Sequence, residues 1–287
     1  MDILIRPMSP DDVEDAERLS DEAFTPMAEP GMFTSRSSLQ QAQWRVRAGH
    51  LLGTDPAGCW VAEQDGAMLG FATSYRRDVT WFLATYAVRP DRQGAGIGKA
   101  LLDAALTHSR GCLRGMLSAS RDPKAFRRYR QAGFTMHPQM FLTGRVDRAA
   151  IPDVPHVREG SEGDFDLLDS LDRQRRGAAH GPDHAVLLAQ NRLVVVDRPG
   201  GSGYAYLGAD GRPAVVCAAS RAVATTLLWE AVASAPGDEL TIPHVTAANE
   251  WAVDVGLAAG LSVGTAGYLA VRAMNPPAPY LHHGALL

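Results

Sequence analysis

The feature that most constrains the fold of this chain is a strand that runs into a glycine-rich turn and then into an apolar helix. The stretch QGAGIGK, residues 93–99, places three glycines within five positions, after the β-prone run TWFLATYAV. Without Cβ atoms, several backbone amides converge on one ligand, and the next helix adds its positive dipole end. The stretch predicts a phosphate-binding turn, with a tight packing turn as the structural alternative.

Two common phosphate motifs do not match this stretch. A Walker A loop needs Ser or Thr after Gly-Lys, but Gly98 and Lys99 are followed by Ala100. A dinucleotide-binding fingerprint follows the first strand of its domain, whereas this turn follows a late strand, and its third glycine comes one residue early. The glycines therefore indicate a different kind of phosphate site.

The composition is that of a globular protein large enough for two cores. The chain has 287 residues, 46% hydrophobic and 21% charged, and domains usually hold about 100–200 residues. A net charge of -4 gives no overall attraction to nucleic acid or to an anionic membrane, so neither is expected as a partner.

The cysteines and the apolar runs predict a cytoplasmic protein. Cys59, Cys112 and Cys217 are too scattered for a disulfide framework, and they form no Cys-x-x-Cys pair. The first residues do not read as a secretory signal, and no run of 18 apolar residues predicts a membrane span.

The periodicity of the first half predicts an α/β fold with a mixed sheet. Apolar alternation, the turn dipeptide Asp65-Gly66 and the helix-ending Gly133 give the element order β-α-β-β-β-α-β-α-β. This order is typical of a mixed sheet with helices packed on it.

The second half repeats the first, which predicts two tandem domains. Asn249, Ala252 and Gly260 match Asp122, Ala125 and Gly133 at a constant offset of 127 positions. A proline-containing linker near residue 152 separates the halves. We therefore expect domains at residues 1–150 and 151–287.

Two motifs of the first half resemble those of the GCN5-related N-acetyltransferase (GNAT) superfamily. Gln93-x-x-Gly96-x-Gly98 resembles its acetyl-CoA signature, and DPKAFRRYRQAGF, residues 122–134, resembles its Asn-x-x-Ala-x-x-Leu-Tyr-x-x-x-Gly-Phe helix. The sequence departs from this pattern at Asp122, which replaces Asn, and at Arg128, which replaces Leu. The resemblance covers roughly residues 3–146 and, more weakly, 156–273, and it implies two tandem acyl-CoA N-acyltransferase domains.

The resemblance implies an acetyl-CoA site in the first domain, with acetyl-CoA as co-substrate and no metal. The amides of the glycine turn would hold the pyrophosphate, and the end of the preceding strand would pair with the pantetheine arm. Tyr129 aligns with the tyrosine that, in many members, protonates the departing thiolate, although it could instead be a half-buried helix residue whose hydroxyl caps a backbone group. The residues implied to bind the cofactor are Tyr86, Ala87, Val88, Arg92, Gln93, Gly94, Ala95, Gly96, Ile97, Gly98 and Lys99.

The general base is less well defined by the sequence. Glu63 in the hairpin strand is the leading candidate, with a solvent-exposed strand carboxylate as the alternative, and Asp78 and Glu29 are weaker candidates. The segment between the first helix and the hairpin is where the family builds its acceptor wall. The apolar residues expected there are Met27, Met32, Phe33 and Trp44, and packing of Trp44 in a second helix is an equal alternative.

The second domain is expected to lack the cofactor site. ASRAVAT, residues 219–225, aligns with the glycine turn, and Gly256 aligns with Tyr129. The segment NPPAPYLHHGALL, residues 275–287, is proline-rich and apolar, so we expect it to dock on the protein, with His282 and His283 more typical of surface residues than of acid–base groups. His180 and His184 give only a weak metal signal, and no metal is predicted.

The sequence thus predicts an enzyme that transfers an acetyl or short acyl group from CoA to a primary amine by direct sequential transfer. The amine is expected to be a small molecule, and the protein a monomer or homodimer. The alternative is a catalytically silent acetyl-CoA sensor or scaffold.

Overall fold

The structure is a computed structural model that describes residues 3–27 and 35–287, without the side chain of Met27. The described chain divides into two compact units. Unit 1 extends to Thr135 and adds Arg272–Met274 and Leu287, and unit 2 comprises Met136–Val271 and Asn275–Leu286. The predicted mixed α/β class is confirmed.

Unit 1 is built from five strands and four helices. Its strands are β1 (Leu4–Pro7), β2 (Cys59–Gln64), β3 (Ala67–Arg77), β4 (Thr80–Val88) and β5 (Arg114–Ala119). Its helices are α1 (Val13–Phe24), α2 (Ser38–Thr54), α3 (Ile97–Thr107) and α4 (Pro123–Gln131). The strands lie in the order β1-β2-β3-β4-β5, with every pair antiparallel except the parallel pair β4–β5.

The predicted hairpin and helix boundaries of unit 1 are confirmed. Asp65 and Gly66 both have positive φ, as a two-residue turn between twisted strands requires. Gly133 has φ +86° and ends α4. Helix α3 packs against β2, β3 and β4, where Leu101 is fully buried.

Strand β4 carries an irregularity just before the two central strands diverge. Thr73 pairs with Thr85 but Ser74 pairs with Leu83, so Ala84 is an extra residue on β4. The pairing of β4 with β5 ends at Leu83 and Leu117. From Ala84 to Val88, β4 therefore has a strand partner only on its β3 side.

Unit 2 repeats the element order of unit 1. Its strands are β6 (Thr135–Arg145), β7 (Arg158–Glu159), β8 (Arg192–Arg198), β9 (Gly201–Leu207), β10 (Pro213–Ala218), β11 (Glu239–Thr246), β12 (Ser262–Arg272) and β13 (Tyr280–Leu281). Its helices are α5 (Phe165–Arg175), α6 (Asp183–Gln190), α7 (Arg221–Ser234) and α8 (Glu250–Ala258). One sheet has the order β13-β10-β9-β8-β7, and β6 lies between β12 and β11 in another.

Each unit has a glycine in its central strand that makes room for a helix leucine. A Cβ added at Gly70 of β3 would lie 3.0 Å from Cδ1 of Leu101, and one at Gly203 of β9 would lie 2.9 Å from Cδ1 of Leu227. Since Cβ atoms rarely approach other atoms so closely, both positions require glycine for close packing of helix on sheet. Gly70 and Gly203 thus have the same packing role in the two units.

The two compact units separate after Thr135, the first residue of β6, and the predicted linker lies further along the chain. Strand β6 pairs with β11 over residues 139–145, and Arg148 donates hydrogen bonds to the carbonyls of Val232, Ala235 and Gly237. These contacts assign residues 136–151 to unit 2. The predicted division into domains at residues 1–150 and 151–287 stays a prediction.

Much of the segment expected to form the acceptor wall is the helix α2. Trp44 is 6% exposed and packs edge-on against Phe71, with ring centroids 5.9 Å apart, so it belongs to the core of unit 1. Glu29, Met32, Phe33 and the side chain of Met27 lie outside the described residues. No helix of the described part of the chain is long and apolar enough to cross a membrane.

The buried carboxylate of Asp55 connects the ends of α2, β3 and α3 in unit 1. Asp55, after α2, lies 2.8 Å from the guanidinium of Arg77 and 3.3 Å from Nε2 of His108, and it accepts a hydrogen bond from the amide of Arg76. Asp55 is 6% exposed and Arg77 is 8% exposed. These hydrogen bonds hold the pKa of Asp55 well below its usual range, against the opposing effect of burial.

We expect Asp55→Ala to lower the free energy of unfolding by about 3–5 kcal/mol, because it removes the buried carboxylate that binds Arg77, His108 and the amide of Arg76. The matched control is Asp238→Ala, which breaks the ion pair with Arg145, whose side chains are 67% and 80% exposed. That change should cost at most about 1 kcal/mol. Urea unfolding checks both variants, and equal losses would contradict the role given to Asp55.

Candidate functional site

The glycine turn of unit 1 needs glycine at two positions for its backbone conformation. Gly94 has φ +92° and Gly96 has φ +87°, values that side-chain-bearing residues rarely adopt. A Cβ at either position would meet nothing within 4 Å, so the turn faces open space. Conformation, not crowding by the protein, therefore selects these two glycines.

The turn presents a row of backbone amides. Within the described part of the chain, no protein acceptor takes a hydrogen bond from the amides of residues 94–99, and the first helical bond of α3 is from Ala100 N to Gly96 O. Free amides and the helix dipole at this end of α3 together attract an anion. The turn has the features of a phosphate site.

The third glycine, Gly98, is required by packing instead of by φ. A Cβ at Gly98 would overlap the hydroxyl of Tyr86 on β4. The neighbouring Ile97 is 2% exposed and anchors the start of α3 in the core. Strand β4 and the turn are therefore in direct contact at Tyr86.

The polar side chains of the turn hold it to its surroundings. Gln93 donates to the carbonyl of Val88 at 3.3 Å and accepts from Nζ of Lys124 at 3.4 Å, so it joins β4 to the first turn of α4. Arg92 donates to Gln64 at the end of β2. Lys99 forms an exposed ion pair with Asp103, at 2.6 Å, along α3.

Helix α4 begins at one of the residues that departs from the family pattern. Oδ1 of Asp122 accepts a hydrogen bond from the amide of Lys124 at 2.8 Å, which caps the helix. Aspartate is as good a cap as the usual asparagine, so this departure preserves the start of α4.

Tyr129 projects from α4 toward β4. It is 4% exposed, and its ring lies edge-on to the ring of Tyr86, with centroids 6.3 Å apart. Its hydroxyl makes no hydrogen bond with any described residue. The alternative in which the tyrosine caps a backbone group is therefore not seen.

Both phenols are protonated at neutral pH, as a phenol with its usual pKa of about 10 already is, and burial makes their ionisation harder still. Burial raises the pKa of Tyr129 well above its usual range, with a smaller contribution from Tyr86. It also raises the pKa of Tyr86 to about 12, although the charge of Arg128 acts in the opposite direction. A phenol in this state donates a proton but does not act as a resident phenolate.

The end of β4 supplies an unpaired backbone edge next to these groups. Tyr86, Ala87 and Val88 pair with β3 on one side and lie beyond the last β4–β5 pair on the other. An extended ligand can take up such an edge by strand-like hydrogen bonds. The irregularity at Ala84, which sequence reasoning missed, has no composition signal in TWFLATYAV.

The candidate bases lie apart from the turn or are already paired. Glu63 accepts from Nε of Arg6 at 2.8 Å, and Arg6 also binds Asp12 at 2.7 Å. Asp78, with φ +47°, lies in the β3–β4 turn at the opposite end of β4 from the glycines, about 25–30 Å away at about 3.3 Å per residue. The structure does not bring Asp78 to the turn.

The cysteines of both units are unlike activated nucleophiles. Cys59 and Cys217 are fully buried, and burial raises the pKa of the Cys59 thiol to about 12. Cys112 is half-buried and its pKa is also raised by burial. A thiol held protonated is a poor acyl carrier.

In unit 2 the corresponding turn is shorter, which the sequence alignment did not show. Residues 89–96 separate β4 from α3, whereas only residues 219 and 220 separate β10 from α7. Ser220 caps α7 by accepting from the amide of Val223 at 3.4 Å. The aligned residues 221–225 are helical, so the turn is missing and not merely substituted.

The position of Tyr129 is also filled differently in unit 2. Gly256 of α8 is buried, and a Cβ there would overlap the side chain of Leu142 on β6. A leucine from the sheet thus occupies the space beside α8. Neither the turn nor the phenol has a counterpart in this unit.

The predicted weak metal signal corresponds to a buried network in unit 2. Asp172, His180 and His184 are the one group of potential ligands that lie close together in the described part of the chain. Asp172 lies 2.6 Å from Nδ1 of His180 and accepts from the hydroxyl of Tyr204 at 2.6 Å. The guanidinium of Arg176 is 3.2 Å from Nε2 of His180, and its charge disfavours a cation there.

Comparison with known proteins agrees with this geometry. Residues 14–134 match the model of the acetyltransferase (GNAT) family. The mycothiol acetyltransferase of Streptomyces coelicolor is 36% identical over 88 residues, which cover 29% of this chain and 28% of that protein. The match thus spans less than a third of that relative.

Solved structures extend the similarity of fold to the whole chain. A putative acetyltransferase from Pyrococcus horikoshii has a TM-score of 0.73 at 18% identity, covering 99% of this chain and 92% of that one. A GCN5-related N-acetyltransferase from Sphaerobacter thermophilus has a TM-score of 0.59 at 17% identity, covering 94% and 95%. Residues 14–134 are thus a domain that matches the acetyltransferase (GNAT) family.

Proposed function

We propose that unit 1 transfers an acetyl or short acyl group from CoA to a primary amine of a small molecule. The observation that carries this proposal is the meeting of three features: amides at residues 94–99 with no partner in the described chain, the edge of β4 beyond its last pair with β5, and the buried residue Tyr129, whose hydroxyl bonds to no described residue. Together they suit a phosphate, an extended arm and a leaving group.

In this proposal the turn and the strand hold acetyl-CoA as co-substrate. The amides of Gly94 to Lys99 bind the pyrophosphate, and the side chains of Arg92 and Gln93 hold the turn in shape. The edge from Tyr86 to Val88 pairs with the pantetheine arm. One amide of that edge polarises the thioester carbonyl, which stabilises the oxyanion that develops during attack.

Transfer is direct, because neither buried cysteine of the described chain offers a thiolate. The amine nitrogen bonds to the thioester carbon, the carbon–sulfur bond breaks, and the thiolate takes the proton of the Tyr129 hydroxyl. The amine reaches the thioester in its neutral form. Glu63 stays the candidate for receiving the proton that the new amide loses.

The acceptor is proposed to be a small molecule on the basis of the predicted acceptor wall. In the sequence, residues 24–44 include the apolar Met27, Met32 and Phe33 and one acid, Glu29, and such a composition suits an apolar amine better than a basic protein segment. The proteins named mycothiol acetyltransferase match over too little of their length to pass on their acceptor. A panel of primary amines is therefore the first substrate test.

The second candidate is a catalytically silent acetyl-CoA sensor. The pairing of Glu63 with Arg6 favours it, because the only strand acid near the hairpin end is already engaged. Thiol release from acetyl-CoA that depends on an added amine would exclude the sensor. Binding without turnover on any amine of the panel would favour it.

We expect Gly96→Val to abolish acetyl-CoA binding, because it forces a β-branched residue to φ +87° and projects a side chain into the space above the amides. The matched control is Gly111→Val. Gly111 has φ +82° and equally open surroundings, but it lies past the other end of α3. Calorimetric titration checks both variants, and equal loss of binding would contradict the role of the turn.

We expect Tyr129→Phe to lower kcat by about 10²- to 10⁴-fold, because the thiolate then leaves without its proton donor. The dissociation constant for acetyl-CoA should stay within about twofold of wild type. Tyr75→Phe, at another buried tyrosine of unit 1, is the control and should keep kcat. Weakened acetyl-CoA binding at unchanged kcat would contradict the acid role.

We expect the whole chain to bind a single equivalent of acetyl-CoA. Unit 2 lacks the turn that would expose amides to a pyrophosphate, and Leu142 fills the space next to Gly256. Calorimetry gives the stoichiometry directly. Two equivalents, or residual binding of full affinity in Gly96→Val, would show that unit 2 is a working site.

A further inference from the structure

The second unit contains an occupant at the strand edge that unit 1 leaves open. Residues 277–286, called the tail segment below, belong to unit 2. Within this segment β13 pairs antiparallel with β10, Leu281 opposite Val216 and Tyr280 opposite Cys217, and the amide of Ala218 donates to the carbonyl of Pro279 at 3.4 Å. Strand β10 has the same position in the element order of unit 2 as β4 has in unit 1.

The tail segment is held like a core element. Tyr280 and Leu281 are each 1% exposed and His282 is 2% exposed. The ring of His282 stacks on that of His244, with centroids 4.4 Å apart, and its Nε2 lies 2.7 Å from Nε2 of Gln139. The interpretation of His282 as a surface residue is therefore wrong, because docking of the segment buries it.

Asn249 clamps the backbone of the tail segment at the start of α8. Its Nδ2 donates to the carbonyl of Pro277 at 3.1 Å, and its Oδ1 accepts from the amide of Tyr280 at 2.9 Å. An amide side chain carries a donor and an acceptor side by side, so it can bind a carbonyl and an amide of a passing backbone at once. The matching residue of unit 1, Asp122, caps its own helix instead.

The far end of the tail segment reaches the buried polar network of unit 2. The carbonyl of Leu286 lies 2.9 Å from Nε2 of His180. His283 accepts from the amides of Ala285 and Leu286 at 2.9 Å, which folds this end of the segment back on itself. The segment thus runs from the start of α8, along β10, to the network beside α5.

We propose that the tail segment is a built-in substitute for a cofactor arm. It pairs with the edge of β10 as a strand of the same chain, and unit 2 requires this pairing to keep β10 in place. The proposed acetyl-CoA site of unit 1 supplies only the comparison between the two edges. The groove beside β10 is accordingly a peptide-binding site whose partner is an extended segment of this chain.

The first test is hydrogen exchange on the full chain, which needs no cofactor. Amides of residues 213–218 and 277–286 should exchange slowly and together in wild type. Asn249→Asp places a carboxylate against the carbonyl of Pro277, and it should speed both segments by at least tenfold. The matched control is Asn191→Asp, whose amide donates only to the carbonyl of Leu187, and it should leave both segments unchanged.

Two results of this test would overturn the proposal. The first is that the amides of the tail segment exchange as fast as those of an exposed loop in wild type. The second is that Asn249→Asp changes the exchange rate of neither residues 213–218 nor residues 277–286. Light scattering of the full chain tests whether the tail segment comes from the same chain or from a second copy. A dimer that Asn249→Asp converts to a monomer would show that it comes from a second copy, which would also overturn the proposal.

The second test removes residues 276–287 and adds a synthetic peptide of residues 275–287. The shortened chain should unfold at a lower temperature, and the peptide should restore the midpoint saturably at one equivalent, whereas a scrambled peptide should not. An unchanged midpoint without peptide would overturn the proposal. If the shortened chain does not fold, the hydrogen-exchange test on the full chain decides between the two outcomes. Failure of the wild-type chain to bind acetyl-CoA would refute only the proposed function of unit 1.

Discussion

The divergence of a central strand from its neighbour is the constraint on which both units depend. In unit 1, β4 and β5 pair only as far as Leu83, and in unit 2 β10 has no pairing with β11 at all. Backbone amides and carbonyls that leave a sheet still need hydrogen-bond partners. The fold therefore creates an edge that must be taken up by water, a ligand or protein. In unit 2 the protein itself takes it up, at Tyr280 and Leu281.

The glycines of the turn show that one residue type can be required for unrelated reasons. Gly94 and Gly96 satisfy a left-handed backbone, whereas Gly98 yields space to the Tyr86 hydroxyl. The latter contact connects the turn to β4, and the Tyr86 ring in turn contacts Tyr129. The position of the phenol is therefore set by packing across the turn, the strand and the helix together.

The local patterns of the sequence predict most of unit 1 and its candidate site. Turn chemistry predicts the Asp65-Gly66 hairpin, the cluster of glycines predicts the turn, and the resemblance of the two motifs to the GNAT superfamily implies the role of Tyr129. Helix α2 was only an alternative, because its apolar periodicity is weak. The shortened turn of unit 2 was interpreted as substitution, since an alignment at a single offset cannot show a missing segment. The clamp at Asn249 depends on contacts 28 and 31 residues away, which no local pattern encodes.

The occupied edge of unit 2 has a consequence for what a cofactor site in this unit would require. Residues 219 and 220 are too few to cradle a pyrophosphate, so the binding loop would have to be lengthened to regain one. That change alone would meet a strand already seated on Val216 and Cys217. Unit 2 thus differs from unit 1 in the length of the loop, in the occupied strand edge and at the position of Tyr129, so no single substitution would supply all that a cofactor site needs.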